Sequence, residues 1–545
     1  MTTINQTVAP GALEETAAAH GAVDEKPAVD QAEWLADAQE ANTQEHNLHF
    51  FNGLRLYRKS VMWSVAISTC IFMEGYDTML MSNLFGLPAF QVRYGEAIGK
   101  GKYEVSAPWQ SGLSNGSTCG QLIGLLVAGS VCEKIGYRKT MIAGLVANIA
   151  LIFMTFFAPN VTVLLVGQIL FGIAMGLYQT TPVVYALEIS PVSLQAYLTT
   201  YVNTCWAIGH LIGAGILRGV LTRTDQWGYR IPFAIQWFWP LILVPVIFLA
   251  PESPWWLVRK GRLEDAKAVL VRLTSSNVAR VDYDIDKNIA LMVVTTNYER
   301  TLKAETSYLA CFRGVDLYRT LISIGIYCIQ TLSGNPLRGF STYFLEKAGL
   351  PNTQSFNLTI VNYALALWPL LSMFGRRTIY VWSLAMMLVL MVIIGALGVP
   401  QAHSSNTSYS WAIGAILIVS SFLYNATMGP LTNTLCSEVS SSVLASKSVA
   451  LARWFYAVST IIANVLTPYQ LNTTAWNWGA KTGFFWAGGC LISLVFAYFC
   501  VPETKNRTAA ELDVLFSRHV SPRHFAKTPV DLAAAIVEVE GDKKM

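Results

Sequence analysis

The chain has 545 residues, of which 53% are hydrophobic and only 13% are charged. Soluble domains carry roughly 25% charged residues, so this composition excludes a soluble enzyme made of several polar-coated domains. The net charge of +4 conceals an acidic start, because residues 1–50 hold nine acids and a single base, Lys26. That start lacks the basic and apolar segments of a cleaved signal peptide, and we expect a solvated tail.

Twelve apolar stretches follow the tail, each about long enough to cross a bilayer as a helix. The predicted spans 1 to 6 lie at 61–87, 111–131, 140–158, 161–186, 198–220 and 232–250, and spans 7 to 12 at 319–345, 356–373, 378–398, 410–436, 447–468 and 482–501. The sequence therefore predicts an all-α membrane protein with an acidic tail (1–60), six helices (61–250), a polar linker (251–318), six helices (319–501) and a second tail (502–545). In the linker, the pattern Arg262-Leu-Glu-Asp-Ala-Lys267 indicates a helix.

The distribution of Lys and Arg near the span ends favours a cytosolic location for both chain ends. Under this topology Asn406 is the glycosylation candidate on the outer side, since Asn-x-Ser/Thr triplets also arise by chance and most of the others there lie too close to the membrane. Nine cysteines stand singly, without CxxC spacing or clustering with histidines. We therefore expect no disulfide framework and no metal site.

An internal repeat divides the spans into two halves. Three markers recur at matched positions after spans 2, 4 and 6 and after spans 8, 10 and 12: Gly136-Tyr-Arg-Lys139 with Gly375-Arg-Arg-Thr378, Glu188-Ile-Ser-Pro191 with Glu438-Val-Ser-Ser441, and Pro251-Glu-Ser-Pro254 with Pro502-Glu-Thr-Lys505. Two homologous halves with a pathway between them are typical of an alternating-access transporter.

Charged residues inside spans are the first functional candidates, because a charge in the bilayer is costly unless it is paired or hydrated. Glu74 and Asp77 stand three apart in span 1 and share a helical face. A carboxyl that alternates between apolar surroundings and a nearby cation could bind and release a proton. The alternative is that one acid forms a permanent structural salt bridge.

Two cations lie at membrane depth, Arg338 in span 7 and Arg453 in span 11, and each should need an anion nearby. Gly and Pro in the segment Ser333–Gly339 should prevent a regular helix around Arg338. The alternatives are a structural ion pair for Arg338 and an interfacial, snorkelling side chain for Arg453.

The loop Gly129-x3-Glu133-Lys134-x-Gly136-Tyr-Arg-Lys139, with the markers at Pro251 and Pro502, resembles the sugar-porter family of the major facilitator superfamily over roughly residues 60–510. Within that family, Glu74-Gly-Tyr-Asp-Thr78 and Pro254-Trp-Trp-Leu-Val-Arg-Lys-Gly261 are similar to fungal α-glucoside permeases. The resemblance implies a proton symporter for disaccharides. It also assigns the proton-linked position to Asp77.

The resemblance implies further site residues. Where the family commonly carries Arg in the fourth helix this chain has Gln168, so we expect Arg338 or Arg453 to act as the cation. Amides that donate and accept, together with aromatic rings, recognise sugars. The substrate-binding candidates are Asn203, His210, Gln330, Asn335, Asn433, Trp454 and Gln121. For each polar member the alternative is an interhelical hydrogen bond, and His210 could instead respond to pH.

Charged residues of the family's cytosolic network should latch the two halves together as a gate. They are Glu133, Arg138, Glu188, Glu252, Arg376, Arg377, Glu438 and Glu503.

The leading interpretation is proton-coupled uptake of an α-glucoside or related oligosaccharide at the plasma membrane. The alternatives are export of a fungal secondary metabolite and a transporter-like nutrient receptor. No phosphate-binding loop of the GxxxxGK[ST] type occurs, which argues against ATP-driven pumping. We expect no enzyme activity, no cofactor and no nucleic-acid partner, and a functional monomer whose partners are a small substrate, protons and lipid.

Overall fold

The structure is a computed structural model, and it describes residues 37–38, 40–41, 50–99, 102–179, 181–275, 284–305, 308–365, 375–401, 403, 407–440, 444–505, 509–525 and 528. The predicted glycosylation site at Asn406 lies outside the described residues.

Spans 1 to 6 are helical. Their helices are Arg58–Ser68 and Cys70–Leu84, Ala107–Ile135, Tyr137–Phe156, Val161–Tyr178 and Thr181–Ile189, Val192–Val220, and Trp227–Ile235 with Phe238–Leu249. Span 4 packs closely on span 2, because Gly172 leaves room for the opposing backbone. A Cβ added at Gly172 would lie 2.2 Å from the carbonyl oxygen of Ser117. Small residues of this kind allow helix backbones to approach in a membrane.

Spans 7 to 12 are helical as well. Their helices are Gly314–Leu332 with Asn335–Gly339 and Ser341–Lys347, Asn352–Leu365, Arg376–Gln401, Thr407–Ala426 with Met428–Val439, Ala445–Leu471, and Thr482–Cys500. A C-terminal segment follows, with an α-helix at Ala509–Ser517 and a 3-10 turn at Pro522–His524.

Within the described ranges, eight helices are long and apolar enough to cross a membrane, and they correspond to spans 2, 3, 4, 6, 9, 10, 11 and 12. Spans 1, 7 and 8 contain shorter or interrupted helices, and in the 29-residue helix of span 5 the apolar stretch is Thr204–Val220. Span 7 is interrupted as predicted, because Gly334 adopts a left-handed φ of +83° and Pro336 opens the next short helix. The predicted end of span 8 lies in residues 366–374, outside the described part of the chain.

A short β-hairpin between spans 1 and 2 was not predicted. Strands β1 (Glu96–Gly99) and β2 (Lys102–Glu104) pair antiparallel, with Glu96 opposite Glu104 and Ala97 opposite Tyr103. We call the end of the bundle that carries this hairpin the hairpin end. The opposite end, where span 12 is followed by the C-terminal segment, is the tail end.

The chain forms two compact units, one of residues 1–64, 185–198 and 251–307 and one of residues 65–184, 199–250 and 308–545. The first unit contains the linker helices Pro254–Arg259, Leu263–Leu273 and Ile285–Glu305. The second of these confirms the predicted linker helix.

The acidic tail departs from the predicted solvated state where it is described. Ala38 and Ala41 are buried, at 4% and 2% exposure. The Glu40 carboxylate pairs with the Lys287 ammonium of the linker at 2.7 Å. A helical turn with alanines on one face can pack on a neighbouring helix while its acid contacts a lysine, so high charge alone does not keep this part of the tail in solvent.

Candidate functional site

The helix Cys70–Leu84 carries the two predicted acids into the interior of span 1. The Asp77 residue is fully buried and Glu74 is 7% exposed. The helix can approach span 5 closely because residue 75 is glycine, and a Cβ there would lie 2.2 Å from the carbonyl oxygen of Trp206. This close packing positions both carboxyls away from bulk solvent.

Uncharged amides, and not an arginine, hydrogen-bond the two carboxyls. The Gln179 amide, just beyond the helix Val161–Tyr178, donates to Glu74. The Gln236 amide lies at the break between the two helices of span 6 and donates to Asp77 Oδ1 at 2.9 Å. Each helix end therefore projects one amide toward span 1.

Gln168, the residue that replaces the family's arginine, also faces Asp77, together with Ser117. The Gln168 side chain is fully buried, and neither of its amide atoms makes a hydrogen bond. The second carboxyl oxygen of Asp77 is likewise buried without a partner. The site thus keeps unused hydrogen-bonding capacity beside the acid.

The sequence reasoning missed Gln179 and Gln236. A signal was present for Gln236, because it is the sole amide in the predicted span 6, which is otherwise apolar. Gln179 was hidden in a run of polar residues near the end of span 4.

Arg453 contacts span 7 and not the acids directly. Its Nε donates to the Tyr327 hydroxyl at 3.2 Å, and that hydroxyl donates to Asn433 Oδ1 at 2.7 Å. The charge of Arg453 acts on Glu74, although the two groups form no ion pair in this conformation. Close contact of Arg453 with an acid in another conformation stays a prediction.

Arg338 contradicts the expectation of a nearby anion. The residue is buried at 4% exposure, and no ion pair of the described residues includes it. Its Nη1 donates to the Ser333 carbonyl at 3.1 Å and to the Ser420 hydroxyl at 3.4 Å, and its guanidinium lies 4.4 Å from the centre of the Tyr424 ring. A ring face and neutral acceptors replace the expected carboxylate, so within the described part of the chain Arg338 pairs neither with Glu74 or Asp77 nor with another acid.

Three predicted sugar-binding residues lie in described contacts of spans 5, 7 and 10. Gln330 Oε1 accepts a hydrogen bond from the Tyr424 hydroxyl at 2.8 Å. Asn433 accepts one from Tyr327. The His210 ring lies against Trp206, tilted by 41° with centroids 3.8 Å apart, and meets Tyr363 of span 8 at 4.9 Å. Each of these three residues therefore contacts an aromatic residue, and its role in sugar binding stays a prediction.

The other predicted binding residues are less well connected. Asn335 begins the short helix of span 7 and is half-buried. Gln121 is buried near Ser117, between spans 2 and 4. The Trp454 residue is 48% exposed and contacts the neighbouring Phe455 ring. The side chain of Asn203 lies outside the described part of the structure.

At the tail end, several predicted gate residues interact within the last six helices. The Arg376 guanidinium pairs with Glu438 at 2.9 Å. Glu503 accepts the backbone N–H groups of Arg376 and Arg377, at 2.9 and 3.2 Å, and so caps the first turn of span 9. Burial raises the pKa of Glu438, and the nearby Glu503 charge adds to the increase against the effect of Arg376.

The remaining gate residues occupy both compact units. In the first unit, Glu188 pairs with Arg259 at 2.7 Å, and Glu252 accepts the backbone N–H of Ser253 at 3.2 Å. In the second, Glu133 lies near the end of span 2 and the guanidinium of Arg138 lies 5.1 Å from the Phe248 ring centre. Their predicted latch between the halves stays a prediction.

At the hairpin end, an ion pair joins the two halves. Glu104 of strand β2 pairs with Lys347 of span 7 at 2.6 Å, and the Tyr343 hydroxyl donates to the same carboxylate oxygen at 2.6 Å. Thr473, after span 11, donates to the other oxygen. We call Glu104, Lys347, Tyr343 and Thr473 the hairpin-end cluster. Burial alone would raise the pKa of Glu104, but the Lys347 charge and the three hydrogen bonds together lower it.

Aromatic side chains also pack between the two halves at the hairpin end. The Phe85 ring of the first half stacks on Phe340 of span 7 with centroids 6.3 Å apart, and it meets Tyr343 edge-on at 6.4 Å. All three side chains are essentially inaccessible to solvent. The hairpin end is therefore closed between the halves in this structure.

Comparison with known proteins identifies a family of transporters that covers most of the chain. Residues 63–516 match the family described as "Sugar (and other) transporter". The chain is 39% identical over 505 residues to the general α-glucoside permease of Saccharomyces cerevisiae, which covers 91% of this chain and 81% of the permease. It is 38% identical over 513 residues to the maltose permease MAL61 of the same species, covering 92% and 83% of the two chains.

Solved structures agree on the fold. The partially occluded inward-open form of the xylose transporter XylE from E. coli superposes with a TM-score of 0.64 at 16% identity, over 83% of this chain and 99% of XylE. A D-xylose-proton symporter structure gives a TM-score of 0.62, also at 16% identity, over 83% of this chain and all of the symporter.

The predicted family and all-α fold are thus confirmed. The chain belongs to the sugar transporter family of the major facilitator superfamily and is a multi-pass membrane transporter.

Proposed function

We propose that this chain takes up an α-glucoside or a related oligosaccharide together with protons, by alternating access between its two six-helix halves. The general α-glucoside permease and the maltose permease suggest the substrate class. The observation that carries the coupling is the pair of buried carboxyls, Glu74 and Asp77, held by neutral amides.

Amide partners suit a carboxyl that must both gain and lose a proton. The NH2 group of Gln236 or Gln179 donates to an ionised carboxylate, and the carbonyl of the same amide can accept from a protonated carboxyl after rotation about its terminal bond. An arginine can only donate, so it favours the ionised form alone. The replacement of the family's arginine by Gln168 therefore does not remove the capacity to carry a proton.

Arg453 supplies the charge that favours proton release. It belongs to the second half, whereas Glu74 belongs to the first, so relative motion of the halves changes the distance between them. An approaching guanidinium stabilises the ionised carboxylate and a receding one stabilises the protonated carboxyl. Coupling then follows from access and electrostatics changing together.

The sugar lies, in this proposal, against the amides and rings of spans 5, 7 and 10. Gln330 and Asn433 offer hydrogen bonds to hydroxyl groups, and each is held by a tyrosine. Trp206, beside His210, offers a partly exposed ring face for the C–H groups of a pyranose. His210 acts as a neutral hydrogen bonder.

The orientation that fits uptake has the hairpin end outside and both chain ends in the cytosol, in the plasma membrane. The excess of Lys and Arg at the cytosolic span ends supports it. We also propose that a single chain suffices for transport, because each half supplies its own part of the pathway.

The test is uptake of labelled maltose and related α-glucosides by a yeast strain that lacks its own α-glucoside transporters and expresses this chain. We expect accumulation against a gradient and alkalinisation of the medium when sugar is added. Absence of uptake of every sugar in the panel, with the protein shown at the plasma membrane, would contradict the proposal.

A matched pair of variants tests the coupling step. Asp77→Asn should abolish accumulation and alkalinisation, whereas Glu96→Gln, which neutralises an exposed acid of the hairpin, should leave both unchanged. Equal loss in the two variants would indicate a general effect of charge on expression, and equal retention would remove Asp77 from the mechanism.

A further inference from the structure

An apolar groove runs along the outer face of spans 9 and 12. It has a volume of about 410 Å³, and its lining is entirely apolar in accessible surface. Trp382 and Ala385 of span 9 line it together with Leu494, Tyr498 and Phe499 of span 12. Trp382 and Phe499 are 68% and 53% exposed. Large apolar side chains with this exposure on two membrane-spanning helices face lipid.

Two arginines lie at the tail end of this groove, on the Tyr498 side chain that also lines it. Arg523 donates to the Tyr498 hydroxyl at 2.8 Å, and its guanidinium lies 4.6 Å from the ring centre. Arg377 donates to the Tyr498 carbonyl at 2.8 Å and lies 5.7 Å from the same ring. One tyrosine thus contacts two like charges, one at its backbone carbonyl and one at its hydroxyl.

Among the described residues, neither arginine pairs with an acid. No ion pair within the described residues includes Arg377 or Arg523, and the buried Nε of Arg377 has no hydrogen-bond partner. Glu503, the acid closest to Tyr498 in the sequence, accepts backbone N–H groups at the start of span 9. Two guanidinium groups on one tyrosine favour an anion between them, and planar Arg donors match phosphate geometry.

The C-terminal segment holds Arg523 in this position. Pro522 and Phe525, on either side of the arginine and its neighbour, are buried. The Phe525 ring packs edge-on against Phe516 at 4.9 Å, and Phe516 lies under the Arg319 guanidinium at 4.6 Å. Arg523 is therefore presented by a packed turn, although its own side chain is exposed.

We infer that spans 9 and 12 and the C-terminal turn form a binding site for one anionic phospholipid, with an acyl chain in the apolar groove and the phosphate between Arg377 and Arg523. Net charge selects the ligand: a zwitterionic lipid brings its own cation beside the phosphate and a sterol brings no phosphate, so either could fill the groove but would leave the net charge of the two arginines uncompensated. A free phosphate would satisfy the cations but would gain nothing from the groove. The site lies on the outside of the bundle and is separate from the proposed transport pathway.

The experiment measures lipid binding to the full chain by native mass spectrometry, after reconstitution in phosphatidylcholine with added phosphatidylserine, ergosterol or inorganic phosphate. Each basic group near an anionic lipid contributes about 1 kcal/mol, so two arginines predict roughly a thirtyfold preference for phosphatidylserine over phosphatidylcholine. The variant carrying Arg377→Gln and Arg523→Gln should lose this preference. Ala385→Phe, which fills the groove, should reduce retention of both lipids.

Two matched controls keep the result specific. Arg93→Gln removes an arginine that also lies over a tyrosine ring, at the hairpin end, and Ala150→Phe enlarges an exposed alanine of span 3. Both should bind phosphatidylserine like the unchanged protein. Thermal unfolding in phosphatidylcholine alone verifies that every variant is folded. An unchanged lipid preference in the double arginine variant, equal losses in the controls, or stronger retention of ergosterol or free phosphate would each overturn the inference.

Discussion

The hairpin-end cluster gives the sharpest prediction, because one glutamate of the first half binds three side chains of the second. Replacing Glu104 by Gln keeps an acceptor for the Tyr343 hydroxyl but removes the charge that faces Lys347. The Lys347 ammonium would then remain largely buried without an anion. We expect the closed hairpin end to become less stable while the fold of each half is unaffected.

The burial of the pair sets the size of the effect. The Glu104 and Lys347 side chains are 2% and 15% exposed. Removal of one partner from a buried ion pair costs about 3–5 kcal/mol, and the partial exposure of Lys347 places this case at the lower limit. About 3 kcal/mol corresponds to roughly a hundredfold shift toward the state open at the hairpin end.

The assay is a distance measurement by pulsed electron paramagnetic resonance between spin labels on Thr224→Cys and Thr353→Cys. These exposed residues follow spans 5 and 7 at the hairpin end, one in each half. The partly exposed native cysteines Cys119, Cys328 and Cys500 are replaced first. Glu104→Gln should lengthen the distance distribution.

A second substitution separates loss of the pair from loss of the fold. Adding Lys347→Met to Glu104→Gln removes the unpaired cation, and it should return the distribution toward the short distance, since loss of both charges is far less costly than loss of one. An unchanged distance in Glu104→Gln, or no recovery in the double variant, would refute the closure by this ion pair.

The pH dependence has a definite sign. The pKa of Glu104 is lower in the closed state than its ordinary value of about 4.3, so the pair stabilises closure above that value. The contribution of the ion pair to the closed state is lost only as the pH falls below the ordinary pKa of Glu and then through the lowered pKa of Glu104. The label distance should therefore be constant from pH 7 to pH 5 and lengthen only in stronger acid; lengthening already near pH 6 would contradict the assignment.

Three further predictions concern the charged residues inside the spans. Asp77→Asn should lower the steady-state accumulation ratio of sugar to about one while exchange of preloaded sugar continues, and Glu74→Gln should act in the same direction but less strongly; both are measured by uptake and counterflow in vesicles. Arg453→Ala should lose uptake, whereas Arg453→Lys should keep part of it because the charge remains without the planar fork. Adding Glu74→Gln to Arg453→Ala should restore surface expression without coupling. Near-normal uptake by Arg453→Ala would contradict this part of the mechanism. Arg338→Met should fold normally, because a cation without an anion contributes little to stability. A severe folding defect in this variant would show that the neutral contacts of Arg338 stabilise the fold. Tyr424→Phe, which releases Gln330, should raise the KM for sugar more than it lowers kcat.

The positions of the spans could be predicted from sequence because apolar length is a direct consequence of bilayer thickness. The interruption of span 7 was predictable for a similar reason, since Gly334 and Pro336 have restricted or unusual backbone preferences. The hairpin was not predictable, because strands of four and three residues carry too little alternation to be distinguished from a loop. The position of a helix or its break is thus determined by neighbouring residues in the sequence. The contacts of Glu104, in contrast, involve residues more than 230 positions away, which local patterns do not reveal.

The candidate site was predictable in its acids and not in their partners. Glu74 and Asp77 stand out because charge inside a span is rare, and the structure buries both. Gln179 donates to one of them from a helix end that only the folded chain brings to span 1. The prediction of an anion beside Arg338 considered charged partners only. Among the described residues, a tyrosine ring and hydroxyl and carbonyl acceptors contact the guanidinium instead.

These two environments are the basis of the proposed coupling with Gln168 at the position where the resemblance implies an arginine. A fixed arginine beside the acid would favour one protonation state throughout the cycle, whereas an amide can hydrogen-bond both states and leaves the choice to a cation in the other half. In this chain Gln236 and Gln168 lie beside Asp77 in the first half. Arg453 and Tyr327, which it contacts, both belong to the second half. In the proposed mechanism, the charge that favours release would therefore be carried by the half that does not hold the acids, and proton release would depend on the conformational change itself.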